Sequence, residues 1–117
     1  MPERYSHPRT ARIQHKHEFS RVFSQGRKVW GPYFIGYLLE DAGLETRLGL
    51  VVSRKVGKAA VRNRVKRLIR EFFRANRSRF PQGTQLVVIG RSSCTSLDGP
   101  ACIAELGSMF GQWLRDA

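Results

Sequence analysis

Residues 59–77 read Ala59-Ala60-Val61-Arg62-Asn63-Arg64-Val65-Lys66-Arg67-Leu68-Ile69-Arg70-Glu71-Phe72-Phe73-Arg74-Ala75-Asn76-Arg77. Wound as a helix, the run gathers Val61, Val65, Leu68, Ile69 and Phe72 into an apolar stripe about 100° wide. Asn63, Lys66, Arg67, Arg70, Arg74 and Arg77 gather opposite, with Arg62 and Arg64 flanking. The pattern predicts an amphipathic helix from about Ala59 to Arg77, closed by Pro81 and Gly83. Strands border it. Upstream, Tyr33–Leu39 is β-rich, Asp41-Ala42-Gly43 reads as a turn, and in Arg47–Ser53 the residues Leu48, Leu50 and Val52 alternate with Arg47, Gly49 and Val51. This arrangement predicts an antiparallel hairpin. Downstream, Gln85–Ile89 is almost continuously apolar, the signature of a central strand buried on both faces.

Further out, Phe19, Val22 and Phe23 stand at i, i+3 and i+4, which predicts a short helix over about Lys16–Gln25, with Gly26 as its left-handed stop. Residues 1–14 read as a basic arm. A loop carrying Ser92, Ser93, Thr95, Ser96 and Gly99 precedes a last helix that begins at Pro100, a residue suited to a first turn. Its Ile103, Leu106, Phe110, Trp113 and Leu114 form a stripe that reads as core. No repeat or low-complexity linker divides the chain, so residues 1–117 read as one domain. The order helix, strands, helix, strand, helix predicts an α+β sandwich with helices packed on a mixed sheet.

The charge narrows the function. Lys and Arg number 21 against 9 Asp and Glu, a net +12, and a compact body this positive attracts polyanions. No apolar run approaches the roughly 18–20 residues of a spanning helix, and Met1–His7 lacks the apolar stretch of a signal peptide. A cytoplasmic protein with no membrane partner is the expectation. Cys94 and Cys102 match neither a zinc ribbon nor a redox pair and read as reduced thiols. His7, His15 and His17 lack companion metal ligands. Glu3, Glu18, Glu40, Asp41, Glu45, Glu71, Asp98, Glu105 and Asp116 form no acidic constellation for two metals, which speaks against a free-standing protein nuclease. No helix-turn-helix or zinc spacing supports a DNA-binding module.

Between Arg54 and Arg79 stand 11 basic residues and a single acid, Glu71. Most charge runs are solvated faces, but such faces mix signs, because opposite charges at i,i+4 support a helix and like charges oppose it. Here Arg62/Lys66, Lys66/Arg70 and Arg70/Arg74 stack like on like. A phosphate backbone relieves that repulsion, since each neutralised phosphate releases counterions and the arginine fork grips two oxygens. Ahead of the helix, Ser53-Arg54-Lys55-Val56-Gly57-Lys58 is a strand-to-helix turn that extends the cationic surface, and the backbone amides of a helix start also attract anions.

The run Ser53 to Glu71 closely resembles the signature of the bacterial ribonuclease P protein subunit, an Arg-Asn-Arg motif on a helix followed by Lys-Arg and a further Arg. Phe19-Ser20-Arg21-Val22-Phe23-Ser24-Gln25-Gly26 is similar to that family's first helix. Phe34 and Tyr37 match aromatic positions of its following strand, and Gln85–Ile89 its last strand. The resemblance spans about Arg12 to Arg91 and, more loosely, the final helix. It implies a two-layer α/β sandwich similar to domain 2 of ribosomal protein S5, ordered α-β-β-(β)-α-β-α with a left-handed βαβ crossover.

The resemblance also implies a role: a protein cofactor of a ribonucleoprotein that removes the 5′ leader of precursor tRNA by phosphodiester hydrolysis, with catalysis and Mg²⁺ carried by the RNA. No residue of the chain itself would be catalytic. Arg54, Lys55, Lys58, Arg62, Asn63, Arg64, Lys66, Arg67 and Arg70 would contact the catalytic RNA. Phe19, Phe23 and Tyr37 would line a cleft for the single-stranded leader, and aromatic platforms beside a basic track are how unstructured RNA is commonly held. Read without the resemblance, Phe19 and Phe23 at helical spacing are core residues, and Tyr37 shares a strand face with Ile35 and Leu39. The sequence departs from the family at Lys58, where an asparagine is usual. Lysine accepts no amide hydrogen bond, so a cap or a metal contact at that position is in question. A general basic or ribosomal RNA-binding protein is the alternative that the basic helix alone would satisfy.

Overall fold

The computed structural model of the chain describes residues 11–115. Most of the basic arm, up to Thr10, lies outside the described residues, as does His7.

Helix α1 spans Lys16–Gln25, and strands β1, β2 and β3 span Arg27–Trp30, Phe34–Glu40 and Arg47–Val51. Helix α2 runs over Ala59–Asn76, a 3-10 turn follows at Arg77–Arg79, strand β4 is Thr84–Gly90 and helix α3 is Gly99–Phe110. Asp98 caps α3 by accepting the Ala101 N–H at 2.8 Å, with Pro100 in the first turn.

The strands form one sheet in the order β1-β2-β4-β3. β1 and β2 are antiparallel, β2 and β4 are antiparallel, and β3 and β4 are parallel. The expected hairpin of Tyr33–Leu39 with Arg47–Ser53 does not form. β4 lies between the two strands, pairing Tyr37 with Val87 on one side and Gly49 with Val87 on the other. β3, α2 and β4 instead make a βαβ unit, which parallel neighbours need because only a long crossover can join them. β4 has neighbours on both edges and helices on both faces, so it is buried at six of its seven residues, as its apolar run required.

Alternation along the strands sends two sets of side chains to opposite faces. Phe34, Leu38, Leu48, Leu86 and Val88 meet Val65, Leu68, Ile69 and Phe72 of α2 and Leu106 and Phe110 of α3 in the main core. Gly36 is required on this face, because a Cβ there would stand 2.4 Å from Phe110 Cζ. On the other face, Val87 meets Val22 of α1 and Ile13, with Phe19, Tyr37, Leu39, Val51 and Ile89 packed around them. The sheet and the α2/α3 pair thus form two layers, and α1 lies across part of the opposite face.

Gly26 does not end α1 in a left-handed conformation; its φ of −80° and ψ of 163° are extended. It is glycine because the chain passes too close for a side chain: a Cβ would lie 2.5 Å from the Val22 carbonyl oxygen and 2.9 Å from that of Leu38.

Candidate nucleic-acid interface

The basic surface is built by α2 and the turn before it. Burial of Val65, Leu68, Ile69, Phe72 and Phe73 rolls the opposite side of the helix outward. Asn63 and Arg67 are exposed, as are Arg54, Lys55 and Lys58, while Arg62, Arg64, Lys66 and Arg70 are half-buried along the flanks. Lys58 stands at the N-cap and gives the helix no side-chain hydrogen bond, in keeping with its lack of an acceptor.

The cations divide into two groups. Arg62 Nε donates to the Gly57 carbonyl at 3.1 Å, and Arg64 donates to the Leu97 carbonyl at 3.2 Å. These two brace the surface. Gly57 itself sits at φ +154°, a conformation open in practice only to glycine, so the turn that presents Arg54 and Lys55 depends on it. Arg54, Lys55, Lys58, Asn63, Lys66, Arg67 and Arg70 make no side-chain hydrogen bond or ion pair among the described residues. The ion pairs Arg21–Asp41, Arg47–Glu18 and Arg77–Glu45 involve none of these residues. A cluster of cations without internal counterions is a site for an external polyanion.

The aromatic residues lie on the α1 side of the sheet. Phe23 and Tyr37 meet edge to face with centroids 5.0 Å apart, and Phe19 lies 6.3 Å from Phe23. Phe23 is 39% exposed, unusual for a phenylalanine of this size. Phe19 is more deeply set, because its ring covers Gly49, whose hypothetical Cβ would stand 2.6 Å from Phe19 Cε1. The aromatic and cationic sets meet at β3. Phe19, Leu48 and Leu50, together with Arg12, Ile13, Lys66 and Arg70, line an open cleft of about 200 Å³. Ile13 reaches the cleft because its N–H donates to the Leu48 carbonyl at 2.9 Å along the open edge of β3.

A buried polar network fixes α1 to the sheet. Glu18 accepts from the backbone N–H groups of His15 at 3.1 Å and Gln14 at 3.2 Å and from Arg47 at 2.7 Å. Arg47 Nε donates to Gln85 Oε1 at 2.7 Å, and Gln85 donates to the carbonyls of Glu45 and Gly83. Burial works against the Glu18 charge, but the hydrogen bond from Arg47, the two backbone N–H groups and the Arg47 charge outweigh it and hold the carboxyl at about 2. Cys94 and Cys102 are buried free thiols. Burial, reinforced by Cys94, raises Cys102 to about 11, so neither is a nucleophile at neutral pH.

Sequence reasoning passed over Lys28, Trp30, Arg12 and Arg91. Lys28 and Trp30 lie on β1, whose residues Arg27-Lys28-Val29-Trp30 show only a two-residue alternation, and the exposed tryptophan was the one available signal.

Fold and surface define the class, a basic α+β RNA-binding protein with a cationic helix and a partly uncovered aromatic sheet face. A family model described as ribonuclease P matches residues 7–113. The ribonuclease P protein component of Desulfovibrio desulfuricans is 42% identical over 116 residues, covering 96% of this chain and 89% of that protein. The ribonuclease P protein component of Thermotoga maritima is 41% identical over 87 residues, 74% of each. The solved structure of the Staphylococcus aureus RNase P protein superposes with a TM-score of 0.82 at 28% identity, over 87% of this chain and 94% of that one. The chain belongs to the ribonuclease P protein family. Its role is that of the protein subunit of ribonuclease P, an endonuclease of tRNA 5′ processing.

Proposed function

We propose that the outer face of α2 and the preceding turn bind the catalytic RNA, through Arg54, Lys55, Lys58, Asn63, Lys66, Arg67 and Arg70, with Arg62 and Arg64 shaping the surface as well as adding charge. The aromatic trough of Phe19, Phe23 and Tyr37 receives the single-stranded 5′ leader of precursor tRNA. The observation that carries this reading is the cleft at β3, where Phe19 lies between the unpaired Lys66 and Arg70 and the rest of the trough. A strand leaving the RNA-bound helix therefore passes directly onto aromatic rings, and each stacked base contributes about 1–3 kcal/mol.

In this reading the protein holds and orients RNA while the RNA performs the hydrolysis. Mg²⁺ supplies charge neutralisation and an activated water, and it is held mainly by the RNA. Among the described residues no three His, Cys, Asp or Glu side chains group to bind a metal. No helix among the described residues is long and apolar enough to cross a membrane, and the reading places the protein in the cytoplasm with its RNA substrate.

Reconstitution tests it. The purified protein alone is expected to leave precursor tRNA intact and to lower the Mg²⁺ that its cognate RNA needs for cleavage. Robust cleavage by the protein without RNA would overturn the assignment of catalysis.

A further inference from the structure

We propose that Trp30, with Lys28 beside it, forms an outer subsite that stacks one further nucleobase of a single-stranded RNA, on the sheet edge beyond Tyr37. The inference rests on the leader reading above and extends it by one strand.

Trp30 is 64% exposed and, with Phe23, is one of two large apolar side chains left exposed among the described residues. Both stand on the same side of the sheet. Register shows how they relate: Lys28 pairs with Tyr37, and Trp30 pairs with Ile35. Trp30 and Tyr37 are therefore diagonal neighbours across β1 and β2, roughly 7–8 Å apart at their backbones. Trp30, Ile35, Ile89 and Val51 form one transverse row of the sheet. The α1 side chains Phe19, Val22 and Phe23 pack on the adjacent row, so Trp30 and Ile35 fall outside both cores.

Cations flank this ring. Lys28 Nζ lies 4.0 Å from the Trp30 centroid and 5.6 Å from that of Tyr37, and the Arg91 guanidinium is 6.0 Å from Trp30. Arg91 is held by its bond to the Gly31 carbonyl at 2.9 Å. An edge tryptophan under cations can be simple surface packing, but packing alone would cover the indole, and this one is mostly bare. A positive charge poised between the exposed Trp30 ring and the half-buried Tyr37 ring matches a nucleotide chain, whose phosphate would pass Lys28 as its bases stack on Tyr37 and Trp30. Stacking accepts any base, so the subsite senses leader length rather than sequence.

The test uses holoenzyme reconstituted with its cognate RNA and precursor tRNAs whose leaders are shortened one nucleotide at a time. The affinity step contributed by the outermost bound nucleotide should fall about five-fold or more in Trp30→Ala and survive in Trp30→Phe. A direct reading comes from Trp113→Phe, which leaves Trp30 as the sole tryptophan: a full-length leader should quench its emission and a leader ending at Tyr37 should not. Unchanged emission, or a Trp30→Ala loss equal at every leader length, overturns the subsite. If Phe23→Ala and Tyr37→Ala remove the leader steps while Trp30→Ala removes none, the outer subsite fails and the leader reading stands. If none of the three removes a step, both fail.

Discussion

The Arg47 guanidinium donates to the Glu18 carboxylate across 2.7 Å, joining the first turn of α1 to the edge strand β3, and both side chains are mostly buried. Phe19 follows Glu18 directly, so this contact sets where the aromatic trough begins. Glu18 has an ordinary value of 4.5 and is held at about 2 in the fold. A depressed carboxyl contributes stability above its unfolded value and loses it as pH falls through the folded one. Glu18→Gln is therefore expected to cost on the order of 1–2 kcal/mol at pH 7. The gap from the unsubstituted protein should close between about pH 4.5 and pH 2, as followed by urea unfolding across pH. A gap that stays constant down to pH 2 would show that the charge is not the source.

Arg64 and Arg67 should separate in solution. Arg67 is exposed and makes no side-chain hydrogen bond or ion pair among the described residues, whereas Arg64 binds the Leu97 carbonyl. Arg67→Ala should lower the salt slope of binding to the catalytic RNA by about one and leave thermal stability unchanged. Arg64→Ala should change the slope similarly and also destabilise the fold by about 1 kcal/mol, through loss of the Leu97 bond. Unfolding curves and binding at graded salt check both.

Lys58→Asn should act in opposite directions on stability and binding. Asparagine at the N-cap supplies the acceptor that lysine lacks, and stability should rise by about 0.5–1 kcal/mol. Removing an exposed cation beside the motif should flatten the salt dependence. Calorimetry and salt titration of the same variant would reveal whether the two effects part.

Gly49 tests whether Phe19 is held in place from beneath. A Cβ there would press on Phe19 at 2.6 Å and on Ile13 at 3.2 Å. Gly49→Ala should cost about 1–3 kcal/mol by overpacking and reduce leader-dependent affinity, although residue 49 is buried away from RNA. Full leader dependence in a destabilised variant would make Phe19 core only.

Much of this molecule is local and was readable without coordinates. The apolar stripe of 61–72 faces α3 and the sheet, the side of α2 that carries Asn63 and Arg67 points outward, α1 keeps its expected bounds, and 85–89 is buried on both faces, because each depends on periodicity within one element. The order of the strands depends on pairing across distance. Leu48 and Leu50 alternate in the same way whether β3 lies beside β2 or β4, and only packing of α2 over the sheet brings β4 between them as a parallel partner. β1 was invisible for a related reason: an edge strand buries little, so Arg27–Trp30 carries almost no apolar signal, yet it places Lys28 against Tyr37. Sequence determined that the surface is cationic and that aromatic residues stand near it. Tertiary structure decided that Arg64 braces the Leu97 carbonyl while Lys66 and Arg70 stay unpaired, and that Phe19 joins the two sets at β3, because the Arg64–Leu97 bond and the cleft that Phe19 shares with Lys66 and Arg70 join residues more than thirty positions apart.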